Sequence, residues 1–112
     1  MDKQAERILS TLRRLYPKVE MHRTLDEVAG ERMPRSAFKT FVWHTMAKSA
    51  VEHLSGRKWE LVAGDLRHKA TEMAVIYAMH CIYERAARGQ TDLALAWQDK
   101  EMGLWSWGSR AG

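Results

Sequence analysis

The sequence has a single cysteine, only two prolines and no long hydrophobic run. Because Cys81 is alone, no disulfide can form within the chain, which is typical of proteins from a reducing compartment. The longest apolar stretch, 73–83, covers eleven residues and includes His80, whereas a membrane-spanning helix needs about twenty. The first residues are charged and lack the apolar core of a signal peptide. We therefore expect a cytoplasmic protein that does not act in a membrane.

Signals of β-structure and of catalytic loops are also missing. No run of residues alternates for long between apolar and polar, and no Asn-Gly or Asp-Gly turn occurs. The sequence contains no Gly-x-Ser-x-Gly elbow, phosphate-binding glycine loop or dinucleotide fingerprint. Cys81 lies within the apolar stretch, which is the usual setting of an unreactive thiol. We therefore expect a non-enzymatic protein that needs no cofactor.

Helical periodicity is what the sequence does contain. Apolar residues recur every three or four positions, which predicts an all-α fold. At 112 residues the chain has the size of one domain, so we expect a compact single helical domain over 1–112. The first predicted helix ends at Pro17, the second starts at Thr24 and stops by Gly30, and the third runs from Pro34 to Leu54 with Gly56 as its C-terminal stop. The fourth covers about 65–88 and the fifth about 91–102. Because the fourth is apolar on every side, we expect a bundle of about five helices around this buried central helix.

The third predicted helix has two distinct faces. The predicted inward face consists of Phe38, Phe41, Val42, Thr45, Met46, Ser49 and His53. The predicted flanking face consists of Ser36, Lys39, Thr40, Trp43 and Ala47. At regular helical spacing His44 and Lys48 point away from both faces.

Two segments resemble a helix-turn-helix motif. Residues 24–29, Thr-Leu-Asp-Glu-Val-Ala, resemble its first helix, and residues 35–39, Arg-Ser-Ala-Phe-Lys, resemble the start of its recognition helix. The chain departs from the motif at Met33, where the usual sequence has a glycine. The resemblance implies a DNA-binding transcriptional regulator, acting as a homodimer held by the apolar tail. Its groove-reading residues would be Arg35, Ser36, Lys39 and Thr40.

Basic residues are concentrated in two parts of a chain whose net charge is +4. Residues 1–23 carry six basic and three acidic residues, and residues 35–58 carry five and one. Arg7 and Arg14 share one face of the first helix and could follow a phosphate backbone. Such a face is more often the solvated side of an amphipathic helix. Nucleic acid is therefore an alternative partner.

Tryptophan is abundant, with five residues in the chain. Tryptophan and arginine are enriched at the energetic centres of protein interfaces. The expected protein-binding residues are Trp43, Trp59, Leu104, Trp105, Trp107, Arg35 and Lys39. In an extended segment the two tryptophans of the apolar C-terminal tail, 104–112, fall on the same side. This tail either packs onto the domain or binds a partner, and the sequence leaves both alternatives open.

Asp65, His68 and Glu72 share one face of the fourth predicted helix. Helical bundles build carboxylate–histidine metal sites from such pairs, but they need matching pairs on facing helices. No second cluster of this kind is present in the sequence. A metal-dependent bundle is therefore the most distant alternative.

In size and style the chain resembles the small accessory proteins of phages and mobile elements, among them anti-CRISPR proteins. Such proteins often act by binding to a macromolecular complex of the host. The resemblance therefore implies an inhibitor of a nucleic-acid-handling complex. Our hypothesis is a basic, cytoplasmic, helical protein that docks on a protein partner. A helix-turn-helix regulator is the alternative.

Overall fold

The computed structural model describes residues 2–87. Its elements are α1 (Lys3–Leu15), α2 (Lys18–Ala29), α3 (Arg35–Thr40), a π-helical segment (Phe41–Met46), α4 (Ala47–Ser55), a 3₁₀ turn (Trp59–Leu61) and α5 (Gly64–Ala87). The backbone stays right-handed helical at both ends of the π segment, so residues 35–55 form one continuous helix. The all-α prediction is confirmed, with no strand among residues 2–87. The predicted fifth helix, 91–102, and the tail, 104–112, lie outside the described residues.

Several helix ends follow directly from local sequence. The Asp2 carboxylate accepts a hydrogen bond of 2.6 Å from the backbone N–H of Ala5, which caps the start of α1. The same hydrogen bond lowers the pKa of Asp2. Gly56 adopts the left-handed conformation, with φ of 68°, and ends the 35–55 helix. Both ends agree with the predicted caps.

The predicted start of α2 at Thr24 is wrong. α2 begins at Lys18, directly after Pro17, which ends α1 and also occupies the cap position of α2. Proline is tolerated at this position because its missing N–H leaves no unpaired donor, and its carbonyl oxygen accepts from the backbone N–H groups of Glu20 and Met21 at 2.9 and 3.0 Å. The Thr24 hydroxyl instead donates to the carbonyl oxygen of Glu20 one turn earlier, at 3.0 Å. Its capping-box spacing is therefore part of a continuous helix.

α5 is the central element, since it packs against α1, α2, α4 and the π segment. Tyr77 of α5 is 2% exposed. Its hydroxyl donates a hydrogen bond to the backbone carbonyl of Tyr16, which connects α5 to the end of α1. Burial raises the pKa of Tyr77 to about 12 and that of Cys81 to about 11. The Cys81 thiol is therefore protonated at neutral pH. One side of α5 remains open, because Ile76 and Tyr83 are 45% and 44% exposed.

Ion pairs join α2 to α5 at one end. The Glu84 carboxylate accepts hydrogen bonds from Lys18 Nζ at 2.7 Å and from His22 Nε2 at 3.0 Å, and His80 Nε2 lies 3.3 Å away. The hydrogen bond from Lys18 is the largest cause that lowers the pKa of Glu84 to about 2. One turn further along α2, Asp26 pairs with Arg85. These pairs add to the apolar contacts that hold α2 against α5.

Replacing Glu84 with glutamine should make the free energy of unfolding less dependent on pH between about 4.5 and 2. A carboxylate whose pKa is lowered by folding stabilises the folded state above its ordinary pKa of 4.5 and loses this effect as the pH falls towards 2. Because Glu84 is 27% exposed, we expect a loss of only about 1 kcal/mol at pH 7 in Glu84→Gln. Urea unfolding followed by circular dichroism at pH 7, 4.5, 3 and 2 would measure this.

The control for this series is Glu20→Gln. Glu20 pairs with Arg23 on the surface of α2, with side chains 52% and 66% exposed. We expect this variant to follow the wild-type pH profile. The explanation fails if Glu84→Gln loses stability below pH 4.5 as steeply as the wild type does.

Candidate functional site

The exposed side of the 35–55 helix carries no acidic residue until Glu52. Residues 32–51 contain four lysines and arginines and no aspartate or glutamate. We call this surface the Trp43 face. It consists of Arg35, Ser36, Lys39, Thr40, Trp43, His44 and Lys48, of which Lys39 and Trp43 are half-buried and the others exposed. It is therefore a positively charged surface with one large aromatic ring embedded in it.

The centre of the Trp43 face is concave. Lys39, Thr40, Trp43 and His44 line a surface concavity of about 340 Å³. Trp43 packs against the hydrophobic core on one side, which fixes its position. The structure thus brings Lys39 and Trp43, predicted to bind protein, together with Thr40, predicted to bind DNA. The concavity also includes His44, which regular helical spacing had placed outside both predicted faces.

The π segment explains why His44 was missed. A π turn contains more residues than an α turn, so the side chains that follow it are rotated relative to a regular helix. The predicted inward face is consequently wrong at three positions: Thr45 and His53 are exposed and Ser49 is half-buried. The residues buried instead are Ala47, Ala50 and Val51. The predicted flanking face is wrong at Ala47 for the same reason.

Deleting Thr45 should leave the fold intact. Without this exposed residue, the core positions on either side, from Phe38 to Val51, fall on the single stripe of a regular α-helix. We expect the free energy of unfolding to change by less than about 1 kcal/mol, because the π turn is absorbed and no core residue is lost. Urea unfolding measures this stability.

The matched control deletes Ser10, an exposed residue in the middle of α1. α1 has no π turn to absorb the change, so Leu12 rotates by about 100° away from the core. We expect a loss of about 2–5 kcal/mol, as for removal of a core leucine. Equal losses from the two deletions would contradict this account of the π segment.

The basic residues of α1 form a separate surface. Arg7 and Arg14 line a concavity of about 420 Å³ that also includes Leu54, and Arg14 Nη2 lies 2.6 Å from His53 Nε2. Leu54 follows Thr40 by fourteen residues, which is about 21 Å along a helix. The predicted nucleic-acid-binding residues are thus divided between two surfaces.

The corner between α2 and α3 contains the residues of the helix-turn-helix resemblance. Arg35, Ser36 and Thr40 are exposed at the beginning of α3, as DNA contact requires. In the turn, Glu31 takes the left-handed conformation with φ of 60°, two residues before Met33. α2 packs mainly against α5 instead of α3.

Trp59, the other predicted interface aromatic in the described range, joins elements of the fold. Its backbone N–H donates to the Glu52 carboxylate at 2.9 Å. The Arg67 guanidinium lies 5.9 Å from the centre of its ring, within the range of a cation–π contact. Trp59 therefore connects the end of α4 to the start of α5.

The suggested metal ligands interact with their own helix. The Asp65 carboxylate accepts from the backbone N–H of Leu66, and Glu72 lies 3.6 Å from Lys69 Nζ. His68 is exposed on the same helix. Within the described residues no group of three or more histidine, cysteine, aspartate or glutamate side chains could hold a metal ion.

Comparison of the chain with family profiles, curated proteins and solved structures finds no match. In the described part of the chain, no helix combines the length and apolar character that crossing a membrane requires. Leu104, Trp105 and Trp107 lie outside the described residues.

Proposed function

We propose that this protein is a non-enzymatic binding module that docks on an acidic surface of a protein partner through the Trp43 face. The observation that carries the proposal is a concave surface on the 35–55 helix, in a stretch with basic residues and no acidic residue from 32 to 51, with a half-buried tryptophan at its centre. Buried aromatic anchors supply much of the affinity of protein interfaces. Surrounding charges of one sign speed association with a partner of the opposite sign and restrict the choice of partner.

The division of the basic residues favours protein over nucleic acid as the partner. A phosphate backbone is a continuous line of charge, and its ligands usually follow it along one surface. Here Arg7 and Arg14 lie beside Leu54, which is about 21 Å along the helix from Thr40 at the centre of the Trp43 face. A bulky ring such as that of Trp43 also fits a protein pocket better than a major groove.

The resemblance to phage accessory proteins suggests where to look for the partner. Components of cytoplasmic nucleic-acid-handling complexes are the first candidates, and docking on one of them would make the protein an inhibitor. Their acidic surfaces would be the complementary sites.

Site-specific photo-crosslinking in the native cells tests the proposal. A photoreactive phenylalanine analogue replaces Thr40, His44 or, as a control, Arg23, all of which are exposed. We expect one protein to be captured from positions 40 and 44 but not from position 23. Because Arg23 lies on the outer side of α2, equal capture from all three positions, or capture from none, would overturn the proposal.

A second candidate, a DNA-binding regulator, is favoured by the exposure of Arg35, Ser36 and Thr40 at the start of α3. Its test is binding to a labelled random DNA duplex at about 50 and 200 mM salt. Tight binding that weakens steeply with salt and is lost in Lys39→Glu would establish this candidate in place of protein docking. Absence of binding at about 50 mM salt would exclude it.

A further inference from the structure

Three apolar side chains line the open side of α5. Ile76, Met79 and Tyr83 are spaced three and four residues apart, so they lie on one helix face, which we call the α5 stripe. Ile76 and Tyr83 are 45% and 44% exposed, and Met79 is half-buried. No acidic residue lies between Ile76 and Tyr83. Ala87, the last described residue, is exposed one turn after Tyr83 on the same side.

We propose that the α5 stripe is the docking surface of the chain's own C-terminal segment, residues 91–107. This inference is independent of the Trp43 face and assigns the tryptophan-rich tail to the domain instead of a partner. The segment follows the stripe directly in sequence and carries the apolar side chains Leu93, Leu95, Trp97, Leu104, Trp105 and Trp107.

The length of residues 91–107 fits the distance that they would have to span to cover the α5 stripe. The sequence pattern predicts a helix over 91–102, which would be about 18 Å long, and α5 from Ala87 back to Ile76 measures about 16 Å. Gly89, between the two, allows the chain to reverse direction. A segment that returns antiparallel to α5 therefore reaches Ile76 at its end and brings Leu104, Trp105 and Trp107 to the stripe.

Tethering favours this segment over a second copy of the chain. A flexible linker of a few residues gives an effective concentration in the millimolar range. A second copy at micromolar concentration competes at a large disadvantage unless its interface is much larger. The α5 stripe, with three apolar side chains, is smaller than the interface of a stable dimer.

Crosslinking within the full-length chain tests the position of the segment. A photoreactive phenylalanine analogue replaces Tyr83 or, as a control, Leu61, an apolar residue that is 69% exposed on the 3₁₀ turn. We expect peptides from residues 91–107 to be attached to position 83 in the monomer, and not to position 61. Attachment between two chains would identify a second copy as the occupant, and absence of attachment at position 83 would show that the stripe is not covered; either result overturns the proposal.

Urea unfolding of a double-mutant cycle gives an independent readout. Ile76→Ser and the pair Trp105→Ser with Trp107→Ser each remove one side of the proposed contact. We expect each change to lower the urea midpoint, and the combined variant to lie clearly above the midpoint that simple addition predicts. With Leu61→Ser in place of Ile76→Ser, the effects should add. Additive effects in both cycles, or no effect of either change, would contradict the proposal.

Discussion

Replacing Phe38 with alanine is expected to lower the free energy of unfolding by about 3–5 kcal/mol. Phe38 is completely buried, and its ring centre lies 6.3 Å from that of Phe41. Phe41 in turn meets Tyr16 edge to face at 5.4 Å, so the three rings connect the 35–55 helix to the end of α1. A domain of this size is stabilised by only about 5–15 kcal/mol in total. The variant should therefore unfold at a much lower urea concentration.

Phe38→Leu provides the matched control, because it keeps an apolar side chain in the cavity. We expect it to cost less than about 1.5 kcal/mol. A loss of less than 1 kcal/mol in Phe38→Ala would show that the start of the 35–55 helix is not anchored by this ring. Since Phe38 precedes Lys39 in the same helix turn, its removal also disturbs the Trp43 face and does not test function separately.

Replacing Trp43 with alanine is expected to weaken partner binding by at least about 30-fold, which corresponds to about 2 kcal/mol, the size of a strong interface contact. Trp43 forms part of the concavity together with Lys39 and His44 and is held against the core on its inner side. Because it is only half-buried, its loss should cost the fold less than the loss of Phe38. Calorimetric titration with the partner identified by crosslinking measures the affinity.

Trp59→Ala controls for the loss of a tryptophan. Trp59 is also half-buried, but its ring contacts Arg67 within the fold. We expect a comparable loss of stability and an affinity within about twofold of the wild type, since Trp59 is not one of the residues of the Trp43 face. Equal losses of affinity in the two variants would mean that weakened folding, and not the Trp43 face, explains the effect.

Local chemistry made several helix ends predictable. An aspartate before a helix, a proline after one and a glycine in the left-handed conformation each act through their immediate neighbours, as Asp2, Pro17 and Gly56 do here. The start of α2 was not predictable in this way, because Pro17 ends one helix and caps the next. Thr24 carries a capping signal that the continuous helix overrides.

The π segment set the limit on predicting the site. Regular helical spacing correctly placed Lys39, Thr40 and Trp43 on one surface. Regular helical spacing gave the wrong side of the helix for His44 and Ala47. The π turn rotates the side chains within it and after it relative to a regular helix. The sequence does carry a signal: the apolar residues Ala47 and Val51, which are buried, lie outside the regular helical face that contains Phe38, Val42 and Met46.

Tertiary packing determined the remaining features. Glu84 lies next to His80 in the same helix, but Lys18 and His22 reach it only because α2 packs on α5. In the same way, only the antiparallel arrangement of α1 and the 35–55 helix places Arg7 and Arg14 near Leu54 and away from the Trp43 face. Neither arrangement follows from spacing along one helix.

The most direct test of the Trp43 face is a pair of charge reversals measured by titration against the crosslinked partner. Lys39→Glu and Arg23→Glu change the net charge of the protein by the same amount, but Lys39 lines the concavity and Arg23 is exposed on α2. If the protein docks through the Trp43 face, Lys39→Glu should weaken binding by at least about 30-fold and Arg23→Glu by less than about threefold. Equal effects would show that only the overall charge matters and would contradict docking through the Trp43 face.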